Sequence, residues 1–149
     1  MKELFEQTIS LETAKLAKEK GFAIGVNHFY TEYLKTRKSD NPSFRMKKGE
    51  VELETGYFIN GHELSDFSNE NYINYAAPSQ SLLQQWLRKN YRLYVQVTLM
   101  ENETCISESF NVIVISLKEQ KYVFENTQKC ITNYEEGLEV GLYEALKLL

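Results

Sequence analysis

The sequence predicts an α+β fold: an antiparallel three-stranded meander flanked by helices, α-β-β-β-α in the second half, with an N-terminal helix and an extra hairpin ahead of it. Three observations carry this. Apolar residues recur at helical spacing up to Trp86-Leu87-Arg88, the pattern switches to strict alternation from Tyr91, and a capped helical pattern runs from Asn133 to the last residue. A period of 3.6 buries one stripe of a helix and a period of 2 buries one face of a strand, so the change of period marks a change of element.

Composition agrees with an ordered globular chain. The 149 residues suit a single domain, 1–149, and a domain of that size buries roughly 68–70% of its unfolded surface without needing a metal or a disulfide. Hydrophobic residues make up 42% and charged residues 26%, with only two prolines and no low-complexity tract, which excludes wholesale disorder. No apolar run approaches the roughly 18 residues of a membrane helix, and Lys2-Glu3-Leu4-Phe5-Glu6-Gln7 is too polar for a signal peptide. A cytoplasmic protein with no membrane partner is expected. Cys105 and Cys130 lie 25 residues apart with no CxxC, so free thiols are expected rather than a structural bridge.

Taken in order, the first helix spans 11–20. Ser10 can cap it, Glu12 complements the positive end of its dipole, and Gly21 can take the left-handed conformation that ends it. Leu11, Ala14, Leu16 and Ala17 form its buried stripe, leaving Lys15, Lys18, Glu19 and Lys20 in water. From Gly21 to Ala77 the apolar residues Phe22, Ile24, Val26, Phe29, Tyr30 and Tyr33 fit neither period, and the segment reads only as ordered. Val51 and Leu53, then Tyr57, Phe58 and Ile59, flank Thr55-Gly56, which reads as a short hairpin between 50 and 60 closed by the turn signal Asn60-Gly61. Residues 62–77 read as a structured loop.

Pro78-Ser79 opens the second helix, with Leu82, Leu83, Trp86 and Leu87 on one face. Trp86 shares that face with three leucines, so it reads as core rather than as a stacking platform. Tyr91, Leu93, Val95, Val97 and Leu99 then face one way, Arg92, Tyr94, Gln96, Thr98 and Met100 the other. The turn 101–104 leads to a second strand at 105–117, apolar on both faces through Val112, Ile113, Val114 and Ile115, which suggests the middle of the sheet. A turn at Lys118-Glu119-Gln120 leads to a third strand at 121–126. Asn133 with Glu136 approximates a capping box for the final helix, whose stripe is Tyr134, Leu138, Leu142, Ala145 and Leu149. Gly137 and Gly141 inside it call for close approach to a neighbour, since each costs roughly 1 kcal/mol relative to alanine.

The net charge of −4 hides an asymmetry: residues 1–48 carry an excess of four positive charges, residues 49–149 an excess of eight negative ones. The positive excess sits in Lys35, Arg37, Lys38, Arg45, Lys47 and Lys48. Such a stretch reads first as a solvated loop and second as a contact for phosphates. Arg88, Lys89 and Arg92 form a second basic group between helix and strand, where cations also complement the helix dipole.

Catalytic patterns are not apparent. The two histidines are His28 and His62, and His62-Glu63-Leu64-Ser65-Asp66 carries half of a zinc HExxH motif with Asp66 in place of the second histidine. There is no GxSxG, Walker loop or GxGxxG, and a Cys–His pair would have to be made by the fold. No catalytic residue, metal ligand or cofactor is assigned.

The segments Ser10-Leu11-Glu12-Thr13-Ala14-Lys15-Leu16-Ala17-Lys18-Glu19-Lys20-Gly21-Phe22, Ala77-Pro78-Ser79-Gln80-Ser81-Leu82-Leu83-Gln84-Gln85-Trp86-Leu87-Arg88 and Asn133-Tyr134-Glu135-Glu136-Gly137-Leu138-Glu139 resemble those of small uncharacterised proteins encoded by gut anaerobes and their phages or prophages. The resemblance implies a mobile-element setting and no activity. The α-β-β-β-α order also resembles double-stranded-RNA-binding domains, where the second helix presents a basic start to phosphates. Here that start holds Glu135, Glu136 and Glu139, which would repel them. The expectation is therefore a non-enzymatic accessory or protein-binding module. The alternative is a nucleic-acid binder using Lys35, Arg37, Lys38, Arg45, Lys47, Lys48, Arg88, Lys89 and Arg92.

Overall fold

A computed structural model describes residues 7–36, 38, 40–42, 45–61, 71–100, 109–126 and 130–149. The elements are α1 (Leu11–Glu19), β1 (Val26–Tyr33), β2 (Val51–Phe58), β3 (Tyr72–Ala76), α2 (Gln80–Tyr91), β4 (Leu93–Met100), β5 (Ser109–Ser116), β6 (Lys121–Glu125) and α3 (Tyr134–Lys147). They form two three-stranded antiparallel sheets, ordered β2-β1-β3 and β4-β5-β6. The fold class is α+β, and the second sheet is the expected meander with β5 at its centre.

The three helix starts are set by the residues read as caps. Ser10 accepts from the Thr13 amide, Ser79 from Leu82, and Asn133 from Glu135 and Glu136. Each side-chain oxygen satisfies an amide that has no partner within the helix. Gly21 follows α1 with φ +84°, the left-handed backbone that glycine adopts without strain.

One hydrophobic cluster joins both sheets through the helices, running from Ile9, Ala14 and Phe22 through Leu83, Trp86 and Leu87 to Val112, Leu142 and Leu146. Trp86 is core, as expected. It is 7% exposed, with Phe22 and Tyr91 edge-on at 5.4 and 5.0 Å. The helical glycines prove necessary. A Cβ on Gly141 would collide with Val95 and come within 2.9 Å of Val112, and one on Gly137 would meet Val97 at 3.1 Å. Their absence lets α3 lie directly on β4 and β5.

Glu139 of α3 ties the helices together. Its carboxylate accepts from the Ser10 amide at 2.8 Å, from the Thr13 hydroxyl at 2.5 Å and from Gln80 Nε2 at 3.1 Å. The sequence had grouped this glutamate with Glu135 and Glu136 as a phosphate-repelling start, but it sits against the N-terminus of α1, where negative charge is stabilising.

Several readings need correction. The stretch read as a hairpin within 50–60 is one strand, β2, and the hairpin it belongs to is made with β1. Thr55 and Gly56 lie inside that strand, and a Cβ on Gly56 would touch the Phe29 ring at 3.4 Å. Asn60-Gly61 is a turn, as read, with Gly61 at φ +84°, and Asn60 is also buried: 5% exposed, its side chain donates to Phe22 O and accepts from the Ala76 amide. Tyr72–Ala76, read as loop, is the edge strand β3. Lys15 and Lys18, expected in water, reach the first sheet: Lys15 pairs with Glu32 at 2.7 Å and Lys18 donates to Asn74 O. Tyr134 is 46% exposed rather than part of the buried stripe. Cys130 is disulfide-bonded, against the expectation of free thiols; the chain's other cysteine, Cys105, lies outside the described residues. So do Arg37, the His62–Asp66 segment and the 101–104 turn. No helix among the described residues is long and apolar enough to cross a membrane.

Candidate binding faces on the two sheets

In the first sheet, Tyr30, Glu32 and Tyr75 face α1: Tyr30 donates to Ile9 O, and Tyr75 donates to Glu32, which pairs with Lys15. Alternation along β1 sends Phe29, Thr31 and Tyr33 to the opposite face. There the register sets Thr31 between Glu52 and Asn74, and Tyr33 opposite Tyr72. The β1–β2 connection folds back beside this face, with Gly49 N donating to Tyr33 O at 2.8 Å and Lys48 N to Thr36 Oγ1 at 3.2 Å. The result is a concavity of about 560 Å³ lined by Phe29, Thr31, Tyr33 and Tyr72 from the sheet, Glu54, Asn71 and Asn74 beside them, and Lys35, Thr36 and Met46 from the connection.

Thr31 and Tyr33 are only 4% and 6% exposed on this open side. Thr31 Oγ1 lies 2.6 Å from Glu54 Oε1 and 2.9 Å from Asn74 Oδ1. A hydroxyl carries one proton and the carboxylate is the stronger acceptor. Thr31 therefore donates to Glu54, and the Asn74 amide is best satisfied turned over, with its NH₂ group donating back to Thr31. Tyr33 donates to Glu52 at 3.1 Å. Burial, that hydrogen bond and the negative charges of Glu52, Glu54 and Glu50 push the Tyr33 hydroxyl up to about 12.

In the second sheet, Val95, Val97 and Val112 lie under α3, so Tyr94, Gln96, Ile113 and Ile115 face away from it. Register aligns Tyr94, Ile115 and Tyr122 in one row across the three strands, with Gln96, Ile113 and Glu125 in the next. Tyr94 and Tyr122 are 40% and 65% exposed. Beside this row stands Arg88 from the last turn of α2, with Arg92 at the corner before β4 and Lys118 in the β5–β6 turn; Lys121, in register with Ser116 and Leu93, alternates to the α3 side. Arg92, held at φ 56°, accepts the Leu117 amide through its carbonyl, which joins the two corners. The Arg88 guanidinium sits 5.9 Å from the Tyr94 ring centre. Glu119 pairs with Lys121 at 2.6 Å.

The nine basic residues picked from sequence thus divide. Arg88 stands beside Tyr94 on the open face of the second sheet, Arg92 is at the corner before β4, Lys89 is exposed on α2, and Arg37 lies outside the described residues. Lys35, Lys38, Arg45, Lys47 and Lys48 are exposed along the connection beside the first, where only Lys35 lines the concavity. Sequence reasoning missed the Tyr94–Ile115–Tyr122 row, although a strand apolar on both faces was its signal. It also missed the Phe29, Tyr33, Tyr72 and Asn74 wall, which depends on a register no local pattern encodes. His28 lies on β1 opposite Thr55. Among the described residues no group of three or more His, Cys, Asp and Glu side chains is placed to hold a metal ion. Compared with family models, curated proteins and solved structures, the chain matches none.

Proposed function

We propose that this protein is a non-enzymatic, protein-binding accessory module of a phage or mobile element, docking through the open face of the second sheet. The observation that carries the reading is the row Tyr94–Ile115–Tyr122, with two exposed tyrosines and the Arg88 guanidinium beside Tyr94. Tyrosine and arginine dominate interface energetics because they bury large areas while keeping a polar contact. Arg88 beside this row, with Arg92 and Lys118 at the adjoining corners, favours a partner that presents an acidic segment. We place the protein in the cytoplasm, where the Cys130 disulfide would act as a transient or redox-sensing bond rather than a permanent staple.

The same placement of Arg88 beside one of two exposed tyrosines favours a second reading, a single strand of nucleic acid stacked on the sheet. Capture from host lysate with and without nuclease separates the two, using wild type and Ile115→Glu. The protein reading expects a specific partner that survives nuclease and is lost with Ile115→Glu, a change on the outer face that leaves the α3 side untouched. Capture that disappears with nuclease, and falls steeply between about 50 and 200 mM salt, supports the nucleic-acid reading instead. A partner retained by Ile115→Glu removes this face from consideration.

A further inference from the structure

We propose that the concavity on the first sheet is a binding site for a small, uncharged, hydroxyl-rich ligand, a saccharide unit. This goes beyond the docking reading and does not depend on it, since the two faces belong to different sheets. Its volume of about 560 Å³ lies within the roughly 300–1,000 Å³ of small-ligand sites.

The lining chooses the class. Among the described residues the lining holds one carboxylate, Glu54, and one ammonium, Lys35, so the lining side chains themselves do not select a ligand of either charge. Donors and acceptors are mixed instead. The Asn71 side chain and the Tyr72 hydroxyl make no hydrogen bond among the described residues, and one oxygen of Glu54 remains after Thr31 has taken the other. Carboxylate and amide groups suit hydroxyls, which donate and accept at once. The aromatic walls Phe29 and Tyr72 offer apolar faces to the C–H side of a sugar ring, while the Tyr72 hydroxyl keeps a polar edge. The Thr31 and Tyr33 hydrogen bonds fix Glu54 and Glu52 in advance, so little ordering remains to be done on binding.

The test is a titration of the isotope-labelled full chain, followed by backbone and aromatic resonances. The probes are maltose, cellobiose and diacetylchitobiose, with AMP and arginine as charged controls, each to about 10 mM, where affinities of sugar-sized ligands are measurable. At least one sugar should shift Thr31, Tyr33, Tyr72 and Asn74. Asn71→Ala should weaken that sugar about fivefold, the worth of one hydrogen bond. This variant keeps the fold because it is the Asn71 backbone carbonyl, not its side chain, that accepts from Leu34. Tyr72→Ala should abolish binding. The proposal is overturned if none of the three sugars shifts these residues, if their shifts map elsewhere, if Asn71→Ala leaves the affinity unchanged, or if AMP or arginine binds here more tightly than every sugar.

Discussion

The two sheets have the same number of strands and the same antiparallel pairing, yet their free faces differ in kind. The second, a meander with a tight turn at residues 117–120, exposes a flat row of tyrosine and isoleucine. The first places its earliest strand in the middle, so the chain must travel from β1 to one edge and then from that edge to the other. β1 and β2 are antiparallel neighbours that a short turn could join, so the long 34–50 connection is not demanded by the strand order; it folds beside the open face and turns it into a walled concavity. The length of one connection decides which face is a surface and which is a pocket.

The largest expected effect probes the shared core. Trp86→Ala should cost about 3–5 kcal/mol, because it opens a cavity between Phe22, Tyr91 and α2 that such a packed site cannot close. Denaturant melts followed separately at each sheet should shift together. If only one sheet melts early, the sheets are independent units and the comparison between them is one of two bodies.

A smaller effect belongs to the second sheet. Cys130 immediately precedes Ile131, which is fully buried and accepts the Phe110 amide at 2.7 Å. Loss of the Cys130 disulfide, by reductant or Cys130→Ser, should lower stability by about 2–4 kcal/mol. Hydrogen exchange should rise at Phe110 before it rises in β1. An unchanged melt under reductant would show that the bond contributes nothing to holding this region.

The smallest effect belongs to the first sheet and is read by pH. Tyr75, pushed up by burial and by its bond to Glu32, lies at about 12, as does Tyr33. A folded-state value raised above the unfolded one, near 10, gives stability that is fully present below about pH 10 and lost as pH rises through about 12. Alkaline titration by tyrosinate absorbance should therefore show Tyr33 and Tyr75 ionising late, together with Tyr30, which burial and Glu139 also push up, and Tyr33→Phe should remove one late ionisation along with part of the alkaline loss. Both tyrosines titrating near 10 would mean that this face is open to water.

What could be read from sequence follows the covering of each element. Helices α1, α2 and α3 and strand β4 were legible because each has one covered side, and a single burial direction writes a clean period; β5 was legible because, as the central strand, it is apolar on both faces. β1 was not. Tyr30 and Glu32 lie under α1 while Thr31 and Tyr33 are buried on the other face, so polar and aromatic residues serve both sides and no period survives. β2 was misread for the opposite reason: it is an edge strand with Val51, Leu53 and Tyr57 exposed, so Thr55-Gly56 looked like a turn. The basic residues were found, but Phe29, Tyr72 and Asn74 gave no local sign of standing together.

By itself the sequence determined the caps, the helical stripes, the buried Trp86 and the central place of β5, since these depend on residues within a few positions of one another. Only the tertiary structure decided the order β2-β1-β3, the use of Glu139 as a clamp on α1, and the gathering of Tyr94 with Tyr122 and of Tyr33 with Tyr72. Those outcomes depend on register and crossover between segments tens of residues apart, where burial and hydrogen bonding are satisfied jointly and no single stretch carries the instruction.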